Sequence, residues 1–478
     1  MQIAVVQEDV PGTLQGSLFS AANMKYLVID PSMDYDIPLF EQTHKRASLT
    51  KIEGLAGLKM ATCRFQLTMH GHGISTPNIP VWDLLMKSCG FDSVITESAA
   101  FTSGAGGPFR HGETVTESTS GTTGIVVHDT YPDGSGNGTI YIQSADGAFS
   151  AGGETITGGT SGATADLSAD VTDAGQSWFP INEPTISMVY TGAVTGSITP
   201  GSIFTMGTTG AAGIVVSHAP TPKTITARIY NGIMPVATET LTNQSASGSV
   251  SIDGAVTQVD IPTLSIGLIE DGVAKQMSGC RGNWSIEANV GEPAVMTFEF
   301  SGKAETPADQ ALIAESTITF ESKVPPVLLS SALIFGTEGD AVSTADNSPR
   351  FSALGFNMNN DVNPRTSANE ATGIVEYLIT GRGATGSFDP EIDLEVSYAF
   401  LENWRAGTVM RSNFQVGTVA GNKFYCSIPG MQTTGGSTSE RAGVSARGWE
   451  FQATGGHMTN ASDTAGSDND IIITYLLV

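Results

Sequence analysis

The stretch GRGATG at 381–386 has the G-x-G-x-x-G spacing of a phosphate cradle, and it follows an apolar run. A dinucleotide site needs more, because the third glycine must open a helix within a βαβ unit so that the helix N-terminus faces the pyrophosphate. Here SFDPE follows, and the next helix signal begins only at Pro390. A glycine loop between elements is the expectation. HGHG at 70–73 would place His70 and His72 on one side of a strand, with no third metal ligand nearby in sequence. They read as polar residues at a strand end. PDGSGNGT (132–139) and GSDNDI (466–471) set Asp133, Asn137, Asp468 and Asp470 among turn residues. Neither matches a calcium loop closed by Glu, and hairpin turns account for both.

Four cysteines, Cys63, Cys89, Cys280 and Cys426, are scattered without the close pairs that zinc needs or the density of a disulfide framework. Reduced thiols packed as small hydrophobes are expected, as in a protein that folds in a cytoplasm. No G-x-S-x-G elbow, P-loop or H-E-x-x-H is present. Paired acids for glycoside cleavage cannot be singled out among 48 Asp and Glu. The expectation is no catalytic residue, no metal, no cofactor and no enzyme.

Composition points the same way. The 478 residues are 40% hydrophobic and 15% charged, with 56 Gly and a net charge of −26. Length allows two to four domains. So few cations exclude binding to nucleic-acid phosphates as the main business, and the acidic excess repels DNA or keeps an abundant protein in solution. The opening MQIAVVQEDVPGTLQG lacks a basic start and a long apolar core, so no signal peptide is expected there. Nowhere do 18 apolar residues run together, so no membrane-spanning helix and no membrane insertion are expected.

Strand signals dominate: MATCRFQLTMH (60–70), TLSIGLI (263–269), NWSIEANV (283–290), AVMTFEF (294–300), GIVEYLIT (373–380), KFYCSIP (423–429) and DIIITYLLV (470–478). Helices are predicted at 79–91, with Pro80 near its first turn and Gly90 at its end, at 388–407, with Asp389 as N-cap and Pro390 at N1, and at 306–315. Between 101 and 258 lies a zone rich in Thr, Ser and Gly whose only cations are Arg110, Lys223 and Arg228. One phrase recurs in it: GETVTESTSGTTGIVV at 112–127, GSIFTMGTTGAAGIVV at 201–216, and GETITGGTSGATADL at 153–167. Glu154 likewise aligns with Glu239. Two small β-modules follow, with TSGTTG-type segments as tight turns and Ile-Val-Val runs as buried strands. Two copies are too few for a solenoid.

The outer zones resemble the major tail tube protein of long-tailed bacteriophages. The likeness is carried by VQEDVPGT (6–13), LVIDPSMD (27–34), the long loop at 39–73, TPNIPVWDLLMKSCGF (76–91) and the closing block at 263–303, with its G-x-R-G turn (279–282) and F-x-F-x-G ending (298–302). The last zone runs a similar plan: strand, polar hairpin loop, strand, helix, strands. The resemblance implies a mainly-β fold with two tail-tube-type β-barrel or sandwich domains, each with a flanking helix, plus two inserted β-modules. Its expected domains are 1–101 with 259–304, module one at 102–172, a connecting segment at 173–191, module two at 192–258, a linker with a short helix at 305–330, and a second tube-like domain at 331–478. It also implies self-assembly into stacked rings around a DNA channel, in a virion tail put together in the host cytoplasm. Homotrimeric rings of pseudo-sixfold symmetry are favoured over homohexamers, with other tail proteins such as a tape measure as partners. DNA would pass without binding, and the modules would project outward. Asp36, Glu41, Glu53, Asp361 and Glu370, in or beside the two hairpin loops, are the expected lumen-lining acids. Lys45, Arg46, Lys51 and Arg365 on the same loops are the expected ring-contact cations. The rival readings are an adhesin or fibre of β-modules binding host-surface carbohydrate, and a polysaccharide-active enzyme with accessory β-domains, which 7% aromatic residues disfavour.

Overall fold

The computed structural model describes residues 1–42, 53–73, 79–106, 109, 113–129, 136–144, 149, 154–159, 161–169, 172–181, 185–198, 202–229, 233–243, 248–258, 261–321, 323–331, 333–337, 349–392, 399–441, 443–454 and 470–476. The fold is mainly β. After β1 (Gln2–Gln7), the strands β2 (Ile29–Asp36), β3 (Leu39–Phe40), β4 (Leu55–Ala56) and β5 (Met60–Thr68) form one long hairpin arm. Helix α1 (Asp83–Ser88) lies within the span 79–91 predicted as helical, and it buries Leu85 and Met86. The left-handed Gly90 follows its end. Next comes β6 (Phe91–Ala105).

Module one continues through β7 (Thr114–Glu117), β8 (Thr123–Asp129), β9 (Gly138–Ser144), β10 (Thr155–Gly158) and β11 (Thr164–Leu167). With β6 these close on themselves in the order β6-β9-β8-β7-β10-β11-β6, every pair antiparallel. Closure leaves no free edge, which suits segments so short and polar. Residues 173–191, expected to connect the modules, are largely strand: β12 (Thr172–Pro180) and β13 (Thr185–Val189). β12 pairs with β6 on one side and with residues 473–476 on the other, and the two neighbours supply its ladder.

Module two adds β14 (Ile203–Met206), β15 (Ala212–Pro220), β16 (Lys223–Ile229), β17 (Glu239–Asn243), β18 (Ser249–Ile252) and β19 (Val256–Gln258) to β13. Its strand order, β18-β17-β14-β15-β16-β13-β19, matches that of module one. Thr195 and Ser249 exchange both backbone bonds and close the ring. Registers agree as well: Val115 faces Gly124 and Phe204 faces Gly213, while a bulge follows Val126 in one module and Val215 in the other.

The recurring phrase is therefore a hairpin. In all three copies a four-residue loop ends in a left-handed glycine (Gly121 at φ 73°, Gly162 at 69°, Gly210 at 73°) whose N–H returns to the last residue of the first strand. Within module one the first and third copies pair with each other, Thr116 opposite Thr157, about a local two-fold axis. Their glutamates cross that axis. Glu113 accepts the Ser161 N–H at 2.8 Å and hydroxyl at 2.7 Å, while Glu154 accepts the Thr119 N–H and the Ser118 hydroxyl, both at 3.1 Å. In module two Glu239 takes the Thr208 and Thr209 N–H groups in the same way, and Ser202 stands where Glu113 does.

The chain returns as β20 (Leu264–Glu270), β21 (Val273–Asn289), β22 (Val295–Ala304) and β23 (Ala308–Asp309). No helix forms over 306–315. Asp309 pairs with Val273 in the sheet, Gln310 donates to the Gly272 carbonyl, and only a 3-10 turn at Glu315–Thr317 is helical. The rest comprises β24 (Ile334–Thr337), β25 (Ala353–Asn357), the second arm β26 (Asn360–Thr366) and β27 (Ile374–Arg382), then β28 (Thr385–Phe388), α2 (Phe400–Ala406), β29 (Val409–Val419), β30 (Asn422–Arg441), β31 (Val444–Ala453) and β32 (Ile472–Leu476). GRGATG spans the end of β27, the short connection at 383–384 and the start of β28, with no helix opened by its third glycine. The helix expected over 388–407 is described only from Phe400, with 393–398 outside the described residues. Asp389 does not cap it. Its carboxylate instead accepts the Ser352 N–H at 2.8 Å and the Ala353 N–H at 2.6 Å, across the base of the second arm.

Two sheets of one design emerge. The first runs β1-β20-β21-β22-β5-β2, the second β24-β29-β30-β31-β28-β25. In both, a hairpin arm grows from the last two strands. One core fills both sheets, from Ile3 and Phe65 through Trp82, Trp178 and Trp284 to Phe356, Phe424, Trp449 and Tyr475. Each module has a separate core. All four cysteines are buried and free, as expected.

Candidate assembly surfaces

Where one sheet meets the next, the contact is itself a β-ladder. Residues 285–289 of β21 pair with 353–357 of β25, with Ser285 opposite Asn357. Beside this ladder the second arm is fastened by buried charge. The Arg281 guanidinium donates to the carbonyls of Ile261 and Tyr377 and lies 3.3 Å from the Glu376 carboxylate, both side chains being almost fully enclosed. Arg365 pairs with the other oxygen of Glu376 at 3.1 Å. A second buried carboxylate, Glu8, accepts four bonds: the N–H groups of Gly12 and Gly279 and the hydroxyls of Thr263 and Ser265.

The two arms lie side by side. The Lys59 N–H donates to the Thr372 carbonyl, and Gly373 is pressed against Leu58. Asp36, Glu41, Glu53, Asp361 and Glu370 are all exposed on these arms, so the structure brings the five acids onto one pair of neighbouring hairpins. Asp36 adds to burial and to Cys280 in pushing the Tyr377 phenol up to about 12. Of the expected cations, Arg365 is held by Glu376 from within its own arm. Lys45, Arg46 and Lys51 lie outside the described residues.

The histidines at 70–73 are more than strand-end polarity. Glu321, supplied by the segment between the two sheets, reaches His70 Nε2 at 2.9 Å and His72 Nδ1 at 2.5 Å. His70 Nδ1 lies 2.8 Å from the Thr68 carbonyl. The Thr68 carbonyl accepts, as does the Glu321 carboxylate when ionised, so the two partners favour the doubly protonated ring. Burial opposes that charge, but the bonds to Glu321 and Thr68 outweigh it and raise the His70 pKa. Burial also opposes the Glu321 charge, and the two imidazoles overcome it and lower its pKa. Lys25, Asp83 and Lys323 face the adjoining cavity of ≈860 Å³. Among the described residues no cluster of three metal-ligating side chains has metal-site geometry. Sequence reasoning missed Glu321 because 249 residues separate it from His72.

A pH dependence follows. A raised His70 pKa stabilises the fold fully below the free imidazole value of about 6.5 and loses that contribution as pH rises through the folded value. The lowered Glu321 pKa stabilises above the ordinary carboxylate range and fails as pH falls through it. The contributions of the His70–Glu321 pair therefore overlap between the ordinary carboxylate and imidazole ranges, about pH 4.5 to 6.5. His70→Gln is expected to cost on the order of 2 kcal/mol at pH 5.5 and clearly less at pH 9. Thermal melts at the two pH values test this, and equal losses would contradict it.

Asp470, from the sequence's second calcium-like stretch, instead pairs with Arg382 at 3.3 Å. Asp133 and Asp468 lie outside the described residues, and Asn137 is exposed immediately before the paired part of β9. No helix among the described residues is long and apolar enough to cross a membrane. No protein-family model matches the chain, and no curated protein matches it significantly.

Proposed function

We propose that this chain is a tube-forming structural subunit that adds head to tail, edge to edge, into closed rings, and that the rings stack into a phage tail tube for DNA passage. One observation carries the reading: the chain already contains one such junction. The first sheet offers the outer edge of β21 to the outer edge of β25 in the second. The corresponding edges at the two ends of the pair carry no further strand among the described residues, although the Met33 carbonyl on β2 accepts from Lys275 Nζ at 3.0 Å. β30 beyond its contact with β29 pairs only with β31, and β2 pairs only with β5.

Repeating the internal junction fixes a register. β22 sets Phe298 opposite Phe65 and β31 sets Trp449 opposite Phe388, while Met33 and Phe356 sit opposite Cys63 and Gly386, so 388 − 65 = 356 − 33 = 323. Ser437 then takes the place of Ser285, since their partners Gly448 and Thr297 adjoin Trp449 and Phe298. Asp34 takes the place of Asn357. Ser437 of one copy thus faces Asp34 of the next. Pro31 removes one donor from this ladder, and Met33 and Tyr35 supply the remaining N–H groups.

Three chains of two sheets each would give six quasi-equivalent positions, and six chains remain the second arrangement. The arms, with their five acids, would line the channel, where like charge keeps DNA from sticking. The modules would stand outside, and other tail proteins such as a tape measure would be partners. The test is a double-cysteine variant, Asp34→Cys with Ser437→Cys, on two exposed sites whose side chains would meet across the ladder. Under oxidation it is expected to give covalent oligomers that close at one size, with rings of uniform bore in negative stain. Monomers alone at high concentration would overturn the proposal.

A further inference from the structure

The internal repeat that aligns Glu154 with Glu239 also aligns Phe149 with Met234, since 239 − 154 = 234 − 149 = 85. The two side chains are used in opposite ways. Phe149 is 2% exposed and belongs to the core of module one. Met234 is absent from the core of module two and stands in the open with Ile233 and Val236, Met234 being 41% and Val236 51% exposed. The loop that carries them is held stiffly. The buried Glu239 carboxylate accepts the Val236 N–H at 2.7 Å in addition to those of Thr208 and Thr209. Thr238, a β-branched residue, sits at φ 76° and donates its N–H to the Ile252 carbonyl at 2.6 Å. Such a conformation is strained and persists only where the surrounding structure over-determines it.

From 229 to 240 the only charged residue is Glu239, which is turned inward, so the loop is an uncharged apolar knob on a chain of net charge −26. A socket of the same character lies on the same chain. A groove of ≈890 Å³ runs between residues 323–330 and the β29–β30 turn. Val324, Leu329 and Val419 stand open along it, with Val324 81% and Val419 67% exposed, and Lys323 is its one charged lining residue among the described residues. Knob and groove are both uncovered in the single chain, so the chain does not fill its own groove. An apolar patch and a complementary pocket at different places on one molecule make a head-to-tail contact between copies.

We propose that the groove of one copy receives the Ile233, Met234 and Val236 knob of a second copy, so that module two is a clasp between subunits. The contact is small, since a standard interface buries about 800 Å² per partner, far more than three side chains supply. It therefore acts beside the strand ladder proposed above and rests on that reading, through surfaces that the ladder does not use. Module one, whose Phe149 is spent on its own core, has no such knob at this position.

Met234→Cys in one preparation and Val419→Cys in another place one exposed thiol on each of two chains, the four native cysteines being buried. Mixed and oxidised, they are expected to join to each other in excess of either homodisulfide. Ser251→Cys, exposed elsewhere on module two, should give no such excess with Val419→Cys. Adding Val324→Asp to the Val419→Cys chain should lower the yield at least tenfold. The Asp34/Ser437 variant is oxidised in parallel. Ladder cross-links without the 234–419 cross-link, or a yield indifferent to Val324→Asp, overturn the clasp alone. Absence of both cross-links overturns the ring reading with it. A chain carrying both Met234→Cys and Val419→Cys that closes on itself at high dilution also overturns the clasp, because the groove would then be filled from within one chain.

Discussion

Replacing Glu8 with alanine is expected to destabilise the fold by about 4 kcal/mol, near the top of the range for single substitutions. The carboxylate is 6% exposed and accepts four hydrogen bonds at 2.7–2.9 Å. Its removal strands four buried donors, and each unsatisfied group costs about 1–3 kcal/mol. Two of them are backbone N–H groups at left-handed glycines, Gly12 in a turn and Gly279 at a bulge within β21. Gly12 has φ 76°, and a Cβ there would lie 1.9 Å from the Val375 carbonyl oxygen. Gly279, at φ 64°, backs onto the Cα of Glu376. Glu8 therefore holds the two bare backbone surfaces on which β27 rests, and Lys303 reinforces one of them by donating to the Gly12 carbonyl at 2.6 Å. Loss of Glu8 should loosen the second arm along with the first sheet. Glu8→Gln is expected to lose roughly half as much, because hydroxyl donors can turn toward the remaining oxygen whereas the second N–H meets an amide NH₂. Urea unfolding midpoints measure both effects. A loss below about 1 kcal/mol for Glu8→Ala would show that water replaces the carboxylate.

What was legible in the sequence was local. The recurring phrase at 112, 153 and 201 reads as a hairpin because glycine at one place and alternating apolar residues around it suffice for a turn and two strands. The plan shared by the outer zones was legible as an order of elements, though not as a set of matching residues. Misreadings arose where a local signal had a distant use. Asp389-Pro390 has the form of a helix start, yet the Asp389 carboxylate is drawn to the backbone of Ser352 and Ala353. TPADQALIAE has helical composition, but a free strand end at Val273 captures part of it. The buried carboxylates Glu8 and Glu376 and the half-buried Glu321 carry no motif at all. Most of their partners lie tens to hundreds of residues away, Thr263 and Ser265 for Glu8, His70 and His72 for Glu321 and Arg281 for Glu376, and only the closed sheets bring them together. The closure of each module's strands on themselves was not legible for the same reason: strand pairing order is a long-range property.

Arg411→Ala is expected to cost about 3–5 kcal/mol, the penalty for leaving a buried charge without its partner. Its guanidinium meets the Asp129 carboxylate at 2.5 Å, and that side chain has no solvent exposure. The other Asp129 oxygen accepts the Phe109 N–H at 3.2 Å, so the aspartate orders module one internally while the arginine belongs to the second sheet. Around the pair, Val94, Val127, Tyr141 and Phe179 pack with Tyr425, Ile472 and Leu476. β12 adds a ladder to β32, with Trp178 opposite Ile473. Module one is thus tied to the second sheet by charge, packing and strand pairing, whereas module two keeps a separate sheet and core. The two modules share one fold but differ in attachment: module two is held to β6 by Arg228, which pairs with Asp92 at 2.7 Å and lies over the Phe179 ring, with no strand ladder to the larger sheet among the described residues. Arg411→Met combined with Asp129→Leu should recover much of the loss, since apolar replacement of both partners removes the stranded charge, although the Phe109 N–H then goes unpaired. Denaturant unfolding with limited proteolysis reads the result. If Arg411→Ala leaves both stability and the protease sensitivity of residues near 109–129 unchanged, the attachment rests on β12 alone.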